Sequence, residues 1–263
     1  MRSCALFLFS ALIGAAFAND GSLTLGGSPQ LLSSHPTVRM KSEVITFMIR
    51  EGQLMADCNF TFVNDGKACE VRMGFPDQGF GEKDPRVQDG VDWKDWKPVS
   101  VFDSFLSWVD GKPAKTTLVK GKVEGEVFHT KTVKFGAKAT VKVRDLYLAN
   151  EGIQITDDGK VVVKTAGYIL STGASWKGNI GSTTVIFDFD PKHPITEMRF
   201  GTPAQIQKMN FQKTFKNPKQ AVRCTGPVKP VLKDNKLTYT IKNWRPTKTS
   251  NIMLEYGAGF GQD

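Results

Sequence analysis

Between positions 54 and 63 apolar and polar residues take turns without a break. Leu54, Ala56, Cys58, Phe60 and Phe62 fall on one side of an extended chain, and Asp57, Asn59 and Thr61 on the other. Successive side chains of a strand point to opposite faces, so this run fits a half-buried β-strand and gives no stripe along a helix. Apolar-rich runs of strand length recur at 38–49, 69–75, 99–109, 124–135, 137–148, 160–171, 183–189 and 236–244. Turn formers separate several of them: Asn64-Asp65-Gly66, Asp110-Gly111, Gly136 and Asp157-Asp158-Gly159. The turns at Asp65-Gly66 and Gly136 are expected to close β-hairpins. On the first strand, Val38, Met40, Ser42, Val44, Thr46 and Met48 are expected to share a face. Only 202–217 leaves room for a helical turn. The expected fold is all-β, an antiparallel β-sandwich in two sandwich-like units.

The second constraint is the stretch Tyr168-Ile169-Leu170-Ser171-Thr172-Gly173-Ala174-Ser175-Trp176-Lys177-Gly178-Asn179-Ile180-Gly181. An apolar strand runs into a Gly-rich turn holding one Trp, and a second strand follows. Glycine permits close backbone approach, and Trp176 brings a large apolar body that must be covered. The stretch is expected to be the pivot on which the sheets pack.

The N-terminus reads as a targeting segment. Arg2 is positive, 5–17 is almost unbroken in apolar residues, and Ala16-Phe17-Ala18 has the small-x-small form of a signal peptidase site. The apolar run is shorter than the roughly 20 residues that span a bilayer. A signal peptide over 1–18 and a mature chain starting near Asn19 are expected. That chain would be periplasmic or extracellular, with no membrane span. Its length suits two units, 19–122 and 123–263, with a loose boundary near Gly121–Gly125.

The formal charge is +9, with the basic residues weighted toward the C-terminal half. Such a balance can signal nucleic acid or an anionic surface. Here the lysines alternate with apolar residues, as in Lys138-Ala139-Thr140-Val141-Lys142-Val143-Arg144. That pattern is the wet face of a strand, and no compact basic run appears, so nucleic acid is set aside. Cys4 leaves with the signal, and Cys58, Cys69 and Cys224 remain. In a hairpin with a two-residue Asp-Gly loop, Cys69 lies opposite Phe62, about 13 Å along the strand from Cys58. A disulfide needs Cα atoms within about 7 Å, so both are expected as buried thiols on the inward face.

The longest loop, 77–97, carries Asp77, Glu82, Asp84, Asp89, Asp92 and Asp95 with Trp93 and Trp96. Loops of this length are often functional. Trp93, Trp96, Asp92 and Asp95 are the candidate ligand-binding residues. The tryptophans either form an exposed platform for a sugar or a partner, or fold back to cap the sandwich. The acids lack the spacing of a calcium loop. His35, His129 and His193 are isolated from one another, so no metal site is read. No nucleophile elbow, zinc-protease helix or phosphate loop is present, and Ser171-Thr172-Gly173 reads as a turn. No catalytic residue and no cofactor are assigned.

Several stretches resemble a family of exported bacterial proteins known only as a domain of unknown function. They are Gly26-Gly27, Val38-Arg39-Met40-Lys41-Ser42-Glu43, Phe60-Thr61-Phe62-Val63-Asn64, Val71-Arg72-Met73-Gly74-Phe75-Pro76-Asp77, the 168–180 stretch, and Asn243-Trp244-Arg245-Pro246-Thr247. The chain departs from the family pattern at Asn179, where Pro is expected, and at 74–77, which lacks a second Pro. The resemblance implies export and a β-rich fold, and it carries over no catalytic residue. The expected function is non-enzymatic binding, or association with the cell envelope, through a protein or glycan partner. The alternative is a glycan-binding or glycan-acting protein that uses the 77–97 loop.

Overall fold

The computed structural model describes residues 23–32, 35–50, 52–80, 95–122, 125–155 and 162–257. The expected signal segment, the 157–159 turn, and Asp92 and Trp93 of the loop lie outside the described residues. The chain is nearly all β, with 58% strand and 8% helix. The first strands are β1 (Leu23–Gly27), β2 (Gln30–Leu31), β3 (Val38–Arg50), β4 (Gln53–Asn64), β5 (Cys69–Phe80) and β6 (Ser104–Val109). Then come β7 (Lys112–Pro113), β8 (Thr117–Lys120), β9 (Val127–Phe135), β10 (Thr140–Asn150), β11 (Gly152–Ile155) and β12 (Val162–Ile169). The last are β13 (Ile180–Asp188), β14 (Glu197–Phe200), β15 (Ala221–Thr225), β16 (Val231–Lys233), β17 (Lys236–Trp244) and β18 (Ile252–Gly257). Two short helices, α1 (Pro203–Gln207) and α2 (Phe211–Thr214), follow β14. Thr202 and Gln205 cap α1 reciprocally, side chain to backbone.

The strands form two sheets. One runs β14-β15-β18-β12-β1-β5-β9-β8, with β2 on β5 and β11 on β12. The other runs β16-β17-β13-β3-β4-β10-β6-β7. Both are mixed, because β1 pairs in parallel with β12, β3 with β13, and β14 with β15. The antiparallel expectation therefore holds for most pairs but not for all. Two turns expected to close hairpins do not: each carries the chain from one sheet to the other. β4 and β5 lie in different sheets, and so do β9 and β10. Asn64 knits the two crossings together. Its Nδ2 donates to the Lys67 carbonyl at 2.6 Å and to the Gly136 carbonyl at 2.9 Å. The Asn64 amide donates to Ala139 O at 2.9 Å, and the Lys138 amide to Gly66 O at 3.1 Å.

Cys58 and Cys69 are thus parted by a change of sheet, and both are free thiols, as is Cys224. Cys69 is only half-buried, at the start of its strand, and not fully inward as expected. Both sheets contain strands from before and from after Gly121. The boundary expected near Gly121–Gly125 therefore does not coincide with a sheet boundary.

One hydrophobic cluster takes side chains from both sheets, including Phe47, Phe60, Phe75, Tyr147, Tyr168, Phe187 and Trp176. Phe47 stacks on Phe187 at 4.5 Å, and edge-on to Tyr168 of the other sheet at 5.8 Å. A bulge between Met40 and Ser42 breaks the two-residue period of β3. Val38 and Met40 point inward before it; Glu43, Ile45, Phe47 and Ile49 point inward after it. The single face expected for β3 is corrected at this bulge, and Val44 lies on the outside, 42% exposed. The extra residue, Lys41, presses its carbonyl against Gly181, where a Cβ would stand 2.4 Å from that oxygen.

Candidate functional site

Among the described residues, three gatherings of polar side chains bear on a ligand site. The first is buried. Residues of the 168–180 stretch and of the segments flanking it in the resemblance meet at the end of β1. The 3-10 turn Ser171–Ser175 leads out of β12, and Trp176 Nε1 donates to the Pro29 carbonyl at 2.6 Å while its ring lies 4.4 Å from that of Phe62. Thr172 Oγ1 donates to Ser28 O at 2.5 Å. Beneath this turn the bulge has swung Glu43 into the core. Its carboxylate accepts the Ser28 hydroxyl at 2.7 Å and the Thr183 hydroxyl at 2.8 Å, and Thr183 Oγ1 accepts Trp244 Nε1–H at 2.9 Å. Burial raises the Glu43 carboxyl from 4.5 to about 7, and the two hydroxyl donors oppose that rise without cancelling it. Burial first, and the Glu43 charge second, push the Tyr168 phenol up. The hub is enclosed, so it organises the pivot and offers no opening to a ligand.

The second place is the base of the expected loop site. Trp96 is buried at 7% exposure, and Asp95 is exposed. A buried Trp96 is not a surface platform, and its neighbours Asp92 and Trp93 are outside the described residues. The loop expected to start at residue 77 starts later, because β5 runs on to Phe80 as it pairs with β1; Asp77 lies within that strand and is buried. It accepts Ser100 Oγ at 2.6 Å, the Val101 amide at 3.1 Å, and a bond from His129 Nε2 at 2.8 Å. His129 is stacked on Phe105, ring centroids 4.0 Å apart. Ser, His and Asp are together, but not as a relay. A relay sets the acid and the nucleophile on opposite imidazole nitrogens, whereas here one carboxylate oxygen faces both Ser100 Oγ and Nε2. The cluster holds residues 100–102 against β5 and β9.

The third place is an open groove of about 500 Å³ on the outer face of the second sheet. Asn59 and Thr61 of β4, Lys142 and Arg144 of β10, Trp108 of β6 and Gly111 line it. Register builds it: Asn59, Arg144 and Trp108 are cross-strand partners in one row, and Thr61 and Lys142 in the next. Asp57 accepts Arg144 Nε and Nη2, each at 2.9 Å, and Asn59 Nδ2 at 2.9 Å. The guanidinium lies 5.3 Å from the centre of the Trp108 ring. The fork raises the Arg144 guanidinium, through its hydrogen bond to Asp57 first and the carboxylate charge second. Asp110 and Gly111, both at positive φ, turn the chain beside it, and Asp110 Oδ1 accepts the Lys142 amide at 2.8 Å. The volume falls within the range of small-ligand sites, about 300–1,000 Å³.

Sequence reasoning placed Asp57, Asn59, Thr61, Lys142 and Arg144 on outward faces, yet it missed the groove. Nothing local sets Trp108 beside Arg144. Among the described residues, no three metal-ligating side chains gather, and no helix is long and apolar enough to cross a membrane.

No family model matches the chain, and no curated protein matches it. Among solved structures it is similar to a Legionella pneumophila protein provisionally named a nutrient binding protein. The TM-score is 0.63 with 21% identity, over 90% of this chain and 72% of that one. This likeness concerns the fold. Weaker likenesses reach an M1 zinc metallopeptidase of Deinococcus radiodurans (TM-score 0.40, 9% identity, 84% of this chain and 43% of that one) and leukotriene A4 hydrolase of Saccharomyces cerevisiae (TM-score 0.41, 9% identity, 86% and 30%). Neither bears on function.

Proposed function

We propose that the chain is an exported, non-enzymatic binding protein whose two sheets form one sandwich and whose ligand sits in the outer-face groove. The groove carries this reading. It places an indole, a guanidinium held rigid by Asp57, an amide, a hydroxyl and an ammonium within two adjacent rows of one sheet. A rigid strand platform with a few placed polar groups around an aromatic ring is the general form of a small-ligand site. The name of the Legionella protein, which shares the fold, is in keeping with binding. Export rests on the apolar 5–17 run and the Ala16-Phe17-Ala18 site. The family resemblance fits the same reading, and the cell envelope is where such a chain would meet its ligand. A glycan site on the 77–97 loop is the second reading, favoured by the bonds that Asp77 of β5 accepts from Ser100 Oγ and the Val101 amide, which tie the segment after the loop to the strand before it.

The test is a thermal-shift screen of the mature chain against sugars, amino acids, organic acids and inorganic ions, run beside Trp108→Ala. A hit lost in Trp108→Ala supports the groove. A hit indifferent to Trp108 but lost in Trp93→Ala moves the site to the loop. Turnover in a broad hydrolase-substrate panel would overturn the non-enzymatic reading.

A further inference from the structure

We infer that the groove takes a neutral saccharide, a class of ligand that follows from how its charges are balanced. This rests on the binding reading above. Lys142 and Arg144 make the lining look cationic, but each has an acid beside it. Asp57 holds Arg144 in a two-bond fork, and Asp110 is turned onto the Lys142 amide. Two positive and two negative side chains within adjoining rows bring the local charge near balance, with Asp110 on the Lys142 backbone amide and the exposed Lys142 ammonium as the one lining cation outside an ion pair among the described residues. An exposed anion would then depend on a screened interaction with Lys142 alone.

The hydrogen-bonding edges are mixed. The Asp57 fork occupies Arg144 Nε and Nη2, so Nη1 stays outside it. Asn59 gives its Nδ2 to Asp57 and keeps its carbonyl oxygen out of that bond. Thr61 adds a hydroxyl and Lys142 an ammonium. A site offering rigid donors and acceptors side by side suits a ligand whose groups both donate and accept. Hydroxyl groups on adjacent ring carbons do so; a carboxylate only accepts, and an ammonium only donates. The aromatic part agrees. The Arg144 guanidinium lies over the Trp108 ring, 5.3 Å from its centre, so the two groups form a stacked pair that lines the groove. The C–H face of a sugar ring would pack on the uncovered part of the half-buried Trp108, while its rim hydroxyls reach Asn59, Thr61 and Arg144. The groove is open to water, which disfavours an apolar ligand that needs enclosure.

The experiment is titration calorimetry on the full mature chain. The probes are neutral oligosaccharides of gluco-, xylo- and N-acetylglucosamine type, galacturonic acid oligomers, free amino acids and inorganic phosphate. A neutral oligosaccharide is expected to bind. Its Kd should change less than about twofold when salt rises from low to high. Trp108→Ala should weaken it by about tenfold, and Asn59→Ala by several-fold. Melting temperatures of both variants establish that they are folded. Lys248→Gln, at an exposed position away from the groove, should bind as the parent does.

Binding by the acidic oligomers or phosphate alone, steeply weakened by salt, would overturn the neutral class and leave the binding reading standing. Neutral sugar binding that ignores both Trp108→Ala and Asn59→Ala would remove the sugar from this groove. Absence of binding by every probe would sink both readings together.

Discussion

Replacing Glu43 by Gln measures what the bulge in β3 does to the core. The Glu43 carboxyl is fully enclosed and accepts two hydroxyls, yet its pKa is raised from 4.5 to about 7 because burial outweighs those bonds. A folded pKa above the unfolded one means that the folded state holds the proton more tightly. Below about 4.5 both states are protonated and the group costs nothing. From there to about pH 7 the unfolded state ionises first, so stability falls as pH rises, and above about 7 the penalty is constant. At about 1.4 kcal/mol per pH unit, the span from 4.5 to about 7 corresponds to about 3 kcal/mol. Gln has nearly the same shape and no charge to desolvate. Its amide turns one N–H toward a hydroxyl that Glu43 now accepts, which adds an offset independent of pH. Urea unfolding of both proteins at pH 4.5, 6, 7 and 8 separates the two effects. The stability gap should move in favour of Glu43→Gln by about 3 kcal/mol across that series. For a chain of this size that is roughly 6–12 °C in Tm. A gap that stays constant with pH would refute the claim that Glu43 ionises in the core at a cost.

Other expectations concern the remaining buried groups. Lys131 and Asp145 pair between the sheets, Nζ to Oδ1 at 2.6 Å and to Oδ2 at 2.7 Å, with almost no exposure. Lys131→Met should destabilise by about 3–5 kcal/mol by stranding the Asp145 charge, and Lys131→Met with Asp145→Leu should recover most of that in chemical denaturation. Trp176→Phe keeps the ring against Phe62 but leaves the Pro29 carbonyl without its donor, for a loss of about 1–3 kcal/mol in the same assay. Burial, and then the Asp145 charge, push the Cys58 thiol up. Native protein should therefore react with a thiol reagent at Cys69 first, and Cys58 and Cys224 should react only on unfolding.

Much of the strand content was legible from residue order because burial imposes its period on a strand wherever the strand is straight. β4 shows this at every position from Leu54 to Asn64. β3 shows the limit. One extra residue, Lys41, reverses the faces beyond it, and only the register against β4 reveals the slip. Asn64-Asp65-Gly66 marked a turn correctly, but a turn signal is local. Whether the next strand pairs with the last or crosses to the other sheet depends on distant partners such as Gly136, which accepts from Asn64.

The candidate site divides in the same way. Residue order alone determined that Asn59, Thr61, Lys142 and Arg144 face away from the core, because their neighbours are apolar and must be buried. It also determined that Trp176 has to be covered. Tertiary structure decided that Trp96 is inside, that Glu43 is inside, and that Trp108 lies beside Arg144. Each of those outcomes depends on which strands are neighbours and in what register. That choice is made by the joint packing of both sheets, and no short window of sequence contains it.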